Sequence, residues 1–293
     1  MRTALLLVVV SIGCGSDSQA PAPDAADTDQ HVDLVSDPYT LQPGDEKYFC
    51  YTMTLPADKE LAITKLTPTY GAGTHHILVA QTIAPEPEGF SECNVLIRTT
   101  WIPLYGGGLN SGPLEMPANT GMKTLQRGQQ ILMQLHLQNA TDAPITATTA
   151  MRIDLVEATA DVIPASLYGL DNRKISVPPH STNVTTEMSC QVGRDLAVFA
   201  VMGHMHKRGV HLDLSRGAAP GADMLYEEDW KFETQPVTPV TLTIAKGEML
   251  YLRCTHSNET DTLIEYGESS DTEMCAMVMY YAPAAGLDGC VSQ

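Results

Sequence analysis

Apolar and polar residues alternate with period two along most of the chain. In Ile131-Leu-Met-Gln-Leu-His-Leu-Gln138, Gln134, His136 and Gln138 fall on one face and Met133, Leu135 and Leu137 on the other. That is the repeat of a β-strand and not the 3.6-residue repeat of a helix. Tyr48–Leu55, Leu61–Leu66, Thr74–Gln81, Ile145–Val156, Asn183–Cys190, Leu196–His206 and Met249–His256 predict strands in the same way. Turn clusters such as Tyr105-Gly-Gly-Gly108 and Arg216-Gly-Ala-Ala-Pro-Gly221 punctuate them, and no amphipathic helix of three turns is predicted. The strand signal lapses over Glu157–Tyr168. The expected body is therefore all-β: two antiparallel β-sandwiches, residues 38–160 and 161–293.

The first residues do not fit this pattern. A basic Met1-Arg2 precedes the apolar run Ala4 to Val10 and then Ser-Ile-Gly-Cys14, which reads as an export signal. Cys14 occupies the place of the acylated cysteine of a bacterial lipoprotein, so residues 1–14 predict a signal ending at a lipid-anchored Cys14. Residues 15–37 are rich in Ser, Ala, Pro and Asp and contain no Lys or Arg, as in a solvated, disordered tether. The expected location is outside the cytoplasm, held to a bacterial membrane by lipid alone. A formal charge of −18 argues against nucleic acid as a partner. Of seven cysteines, six remain beyond Cys14, an even set that predicts three disulfides in an exported chain. Asn139, Asn183 and Asn258 open Asn-x-Thr triplets, which are read as coincidental and not as glycosylation sites.

Five of the nine histidines fall in three tight contexts: His75-His76, His136 and His204-Met205-His206. The apolar Leu196–Gly203 predicts a buried strand, and if it continues, His204 and His206 project from one face and can close on one metal ion. Adjacent His75 and His76 can share an ion only at a strand end or bulge. His31, His180, His211 and His256 lie in polar contexts and are read as surface residues.

The series Tyr48-Phe-Cys-Tyr-Thr-Met-Thr-Leu-Pro56, His75-His76, Leu132–His136, His204-Met-His206 and Ser269-Ser-Asp-Thr-Glu-Met-Cys-Ala-Met-Val-Met-Tyr-Tyr281 resembles the copper type II, ascorbate-dependent monooxygenases over about residues 45–285. The resemblance implies two tandem jelly-roll domains, each supplying ligands for one of two separate coppers. His75, His76 and His136 would hold the copper that stores an electron. His204, His206 and Met274 would hold the catalytic copper, where oxygen meets the substrate C–H bond. A thioether favours Cu(I), and three ligands leave a position open. The implied disulfides are Cys50–Cys93, Cys190–Cys290 and Cys254–Cys275. The implied co-substrates are O2, ascorbate or another one-electron donor, and a small-molecule C–H donor.

Peptidylglycine hydroxylases hold a substrate carboxylate with Arg, Asn and Tyr at positions that read Met202, Ala276 and Val278 here. A carboxylate buried there without partners is costly, so an apolar or neutral substrate is expected and a glycine-extended peptide is not. Lys207 and Arg208, beyond the second histidine pair, are read as a solvated pair. The reading that competes with an enzyme is a copper-binding or copper-handling lipoprotein without catalysis.

Overall fold

The computed structural model describes residues 30–292 apart from residues 94, 96, 218 and 287. Cys14 and residues 15–29 of the expected tether lie outside the described residues. The regular elements of the described residues are all strands, as the period-two pattern predicted. Four main sheets account for most of them. Glu46–Thr54, Gln130–Gln138, Thr74–Thr82 and Trp101–Gly108 lie side by side, with Gly89–Glu92 at the edge. The sheet containing Gln30–Val35, Ala150–Glu157 and Leu61–Thr69 is also drawn from the N-terminal half. From the C-terminal half come a sheet of Thr238–Ile244, Leu196–Met205, Cys275–Tyr281, Ser166–Asn172 and Asp288–Ser292, and one of Ser181–Gln191, Met249–Asn258, Gly209–Arg216 and Asp223–Asp229.

Residues 30–37 depart from the tether expectation. Gln30–Val35 pairs antiparallel with Ala150–Glu157, and Leu34 is fully buried. The alternating Val32 and Leu34 supply one apolar face among the aspartates, enough to dock the segment as an edge strand. The chain leaves the first pair of sheets at Ile163–Pro164, which pairs with Thr120–Lys123, and enters the second pair at Ser166. The expected Ile145–Val156 strand is interrupted into Ile145–Ala147 and Ala150–Glu157, which join different sheets.

All three disulfides form as the resemblance implied: Cys50–Cys93, Cys190–Cys290 and Cys254–Cys275. Two of the Asn-x-Thr triplets prove to be turns. Asn139 and Asn258 are fully buried. Their amides donate to neighbouring carbonyls, while their Oδ1 atoms accept from the N–H and hydroxyl of Thr141 and Thr260. The same device ends the strand Gln130–Gln138 and closes Met249–Asn258.

The two halves meet through apolar contact. Ala200, Met202, Val237 and Tyr280 of the C-terminal half belong to the same core cluster as Leu104 and Tyr105 of the N-terminal half. Three successive glycines, Gly106 to Gly108, allow this approach. A Cβ on Gly108 would come within 2.6 Å of Gln235, and one on Gly106 within 3.2 Å of Met202. This close seam is where the histidines gather.

Candidate metal centre

His76 and His136 sit opposite each other on paired strands, but the next pair is Leu137 with Thr74, so His75 is an extra residue at a bulge. A bulge turns two consecutive side chains towards one side. The ligand atoms of His75, His76 and His136 consequently lie within 4.8 Å of one another. Both ring nitrogens of His75 and His76, and Nδ1 of His136, are buried without a hydrogen-bond partner. Orphaned buried nitrogens are costly unless something binds them, and a metal ion fits the three.

The other nitrogen of His136 is occupied: Nε2 lies 2.7 Å from Glu46 Oε1. Tyr48 stacks on the same ring, with centroids 4.4 Å apart and planes within 8°. The ring is thus held on its edge and its face, leaving Nδ1 as the free donor atom. That hydrogen bond holds the Glu46 carboxyl at about 2, below its ordinary 4.5.

His204 closes the long strand Leu196–Met205 and His206 follows it, with ring centroids 5.2 Å apart. Their Nδ1 atoms are engaged, His204 with Gln235 Oε1 at 2.8 Å and His206 with the Thr272 carbonyl at 3.1 Å. Nε2 is therefore the available donor on both. Met274 is buried and precedes Cys275, whose strand Cys275–Tyr281 pairs with the histidine strand. In that register Met202 faces Val278 and His204 faces Ala276, so the positions expected to form an apolar wall do stand together.

His76 and His204 are near neighbours across the seam, 6.3 Å between ring centroids. They border one cavity of about 160 Å³ with Met202, Met274, Gly106 and Gln235. Phe232 covers the far side of His75, at 4.1 Å between centroids. Lys207 is exposed and ion-paired with Asp271 at 3.0 Å, in keeping with a solvated residue.

Burial keeps these imidazoles neutral. It pushes His75 and His206 down to about 3, and lowers His76 and His204 too, with neighbouring histidines adding to the shift at His75, His76 and His206. Neutral imidazole is the ligating form. The unfolded chain takes up these protons near 6.5, whereas folded His75 and His206 do so only near 3. Their contribution to stability is whole above pH 6.5 and is lost as pH falls from there towards 3. The metal-free protein should accordingly melt at a lower temperature at pH 5 than at pH 7. Equal melting temperatures at those two values would contradict neutral burial.

Three residues at the site had no role in the sequence reading. Glu46 and Gln235 carry no local signal, because their partners are distant in sequence. Glu273 was visible beside Met274, but its function was not. It is fully buried and accepts from the backbone N–H of His206 at 3.1 Å and of Arg208 at 2.6 Å. His256 corrects the surface assignment: it is fully buried, bonded to Thr186 Oγ1 at 3.1 Å, with Nδ1 3.4 Å from Glu273 Oε2. Its strand Met249–Asn258 alternates strictly between buried and half-buried positions, and His256 falls on the inward set.

The family model described as copper type II ascorbate-dependent monooxygenase, C-terminal domain, matches residues 160–293. Over that stretch the chain is similar to the copper type II ascorbate-dependent monooxygenases. The peptidyl-glycine alpha-amidating monooxygenase of Mus musculus is 24% identical over 251 residues, covering 82% of this chain. The Rattus norvegicus enzyme is 25% identical over 258 residues, also 82% of this chain. The chain spans about a quarter of the length of these relatives, 25% and 26%. Among solved structures, N-glycanase F aligns over 89% of this chain and 98% of its own, at 10% identity and a TM-score of 0.44.

Proposed function

We propose that this chain is a copper monooxygenase that places one atom of O2 into a C–H bond of a small neutral molecule, drawing electrons from ascorbate or a similar donor. The observation that carries this reading is the convergence of two ligand sets, His75-His76-His136 and His204-His206-Met274, on one seam beside a shared cavity. The halves are read as tandem jelly-roll domains, each contributing one set, and Cys14 as the membrane anchor of the exported protein.

Bound copper would supply one-electron redox chemistry and a coordination position for oxygen. The chain's own residues do the rest. Glu46, Gln235 and the Thr272 carbonyl orient three of the imidazoles through their second nitrogens. Burial keeps the four histidines with lowered pKa, His75, His76, His204 and His206, neutral, each with a single N–H. Met202, Met274 and the glycine track line a mostly apolar cavity that seats a neutral C–H donor and offers a carboxylate no cation.

The test combines copper counting with oxygen uptake. The copper-loaded protein should bind two ions per chain and consume oxygen with ascorbate only when a suitable neutral C–H donor from a panel is present. His136→Ala should bring the count towards one without unfolding the protein. Two coppers without substrate-dependent uptake or product would instead indicate a copper-handling protein. A count of one in the unaltered chain, unchanged by His136→Ala, would remove the two-site reading.

A further inference from the structure

One oxygen atom links His136 to the turn that precedes Met274. Glu46 Oε1 lies 2.7 Å from His136 Nε2 and also accepts the Ser270 hydroxyl at 3.1 Å. Glu46 belongs to the first half, on the strand Glu46–Thr54 next to His136. Ser270 belongs to the second half and is buried in the turn that leads into Glu273-Met274. The Thr272 carbonyl of this turn accepts the hydrogen bond from His206 Nδ1 that fixes that ring. The same short segment therefore reaches a ligand of each set, one directly and the other through Glu46.

We propose that Glu46 is a positioning residue that sets the donor strength of His136 and makes it depend on the closure of the two halves through Ser270. This rests on the reading of His75, His76 and His136 as a copper set. A carboxylate on the outer nitrogen of a metal-bound imidazole orients the ring and makes it more basic, which favours Cu(II) over Cu(I). The Ser270 hydroxyl draws on the same oxygen and weakens its hold on His136. When the halves are closed, the first copper is thereby easier to reduce than Glu46 alone would allow. Tyr48, stacked on the ring, keeps the direction of Nδ1 fixed while its basicity is tuned.

The experiment uses the full-length protein with His204→Ala as background, so that the first set alone is examined. Cu(II) affinity is measured by chelator competition, the site by electron paramagnetic resonance, and the reduction midpoint by titration; circular dichroism of the copper-free forms checks the fold. Glu46→Gln should weaken Cu(II) binding about ten- to a hundredfold and raise the midpoint. Ser270→Ala should move the midpoint the opposite way, because Glu46 then bonds His136 undivided. A purely structural role would not give shifts of opposite sign. Unchanged affinity and spectrum in Glu46→Gln, or midpoints that move together in the two variants, would overturn the proposal. If His136→Ala in this background still holds the copper with an unaltered spectrum, the ligand assignment itself is wrong and both readings fall.

Discussion

Met274→Ile is expected to retain most Cu(II) binding while losing nearly all oxygen-coupled turnover. Ile keeps much of the volume and apolarity of Met, and Met274 is buried beside the Cys254–Cys275 disulfide, so the fold should survive with a modest packing loss. The thioether is a soft donor that stabilises Cu(I), and Ile cannot replace it in that role. His204 and His206 still present their free nitrogens from one strand end, which suffices for Cu(II). X-ray absorption on the reduced protein should therefore show a copper–sulfur contribution that disappears in the variant. His204→Ala, by contrast, should lose the second copper together with activity. Normal turnover in Met274→Ile, or no sulfur scattering in the unaltered protein, would make Met274 ordinary core packing. The cavity reading would then lose the residue that joins it to the metal.

Glu273→Ala should cost on the order of 3–5 kcal/mol of stability, the largest loss expected from a single change outside the apolar core. Its carboxylate is fully buried and takes hydrogen bonds from the N–H groups of His206 and Arg208, with His256 Nδ1 at 3.4 Å. Alanine would leave two backbone donors without partners, take away the carboxylate that faces His256 Nδ1, and open a cavity as well. Glu273→Gln keeps one acceptor oxygen and should lose less. Denaturant unfolding of the copper-free variants measures both values. A loss below about 1 kcal/mol for Glu273→Ala would mean that water or a shifted backbone satisfies these groups. Because Glu273 holds the chain just after His204 and precedes Met274, the same variant should bind the second copper weakly even when folded.

Much of the site was legible because strands carry their chemistry in a short repeat. Paired histidines at i, i+2 on an apolar strand announce a shared face, and His204 and His206 do lie together. The His75-His76 pair needed a bulge, and the register slips there. His256 departs from the surface expectation for a related reason. Thr255 and Ser257 made its surroundings look polar, yet those neighbours occupy the half-buried set of the same strand, and the inward set was the one that mattered. Residues 30–35 depart from the tether expectation because two apolar side chains suffice to dock an edge strand despite the acidic composition around them.

Local alternation, turn residues and the spacing of the histidines were enough to predict an all-β chain, its strands and two candidate histidine pairs, and the resemblance implied His136 and Met274 as further ligands. These features depend on neighbours one or two positions away, so they are written in any short stretch. The partners of those ligands depend on contacts across the fold. Glu46 reaches His136 and Ser270 over separations of 90 and 224 residues, and Gln235 reaches His204 over 31. The resemblance placed one ligand set in each half, but only the packing of Gly106–Gly108 against Met202 and Gln235 brought His76 to within 6.3 Å of His204. Which nitrogen each histidine has free, and that both sets border one apolar cavity, follow from that packing, because buried hydrogen-bond partners and enclosed space exist only once distant segments have closed on each other.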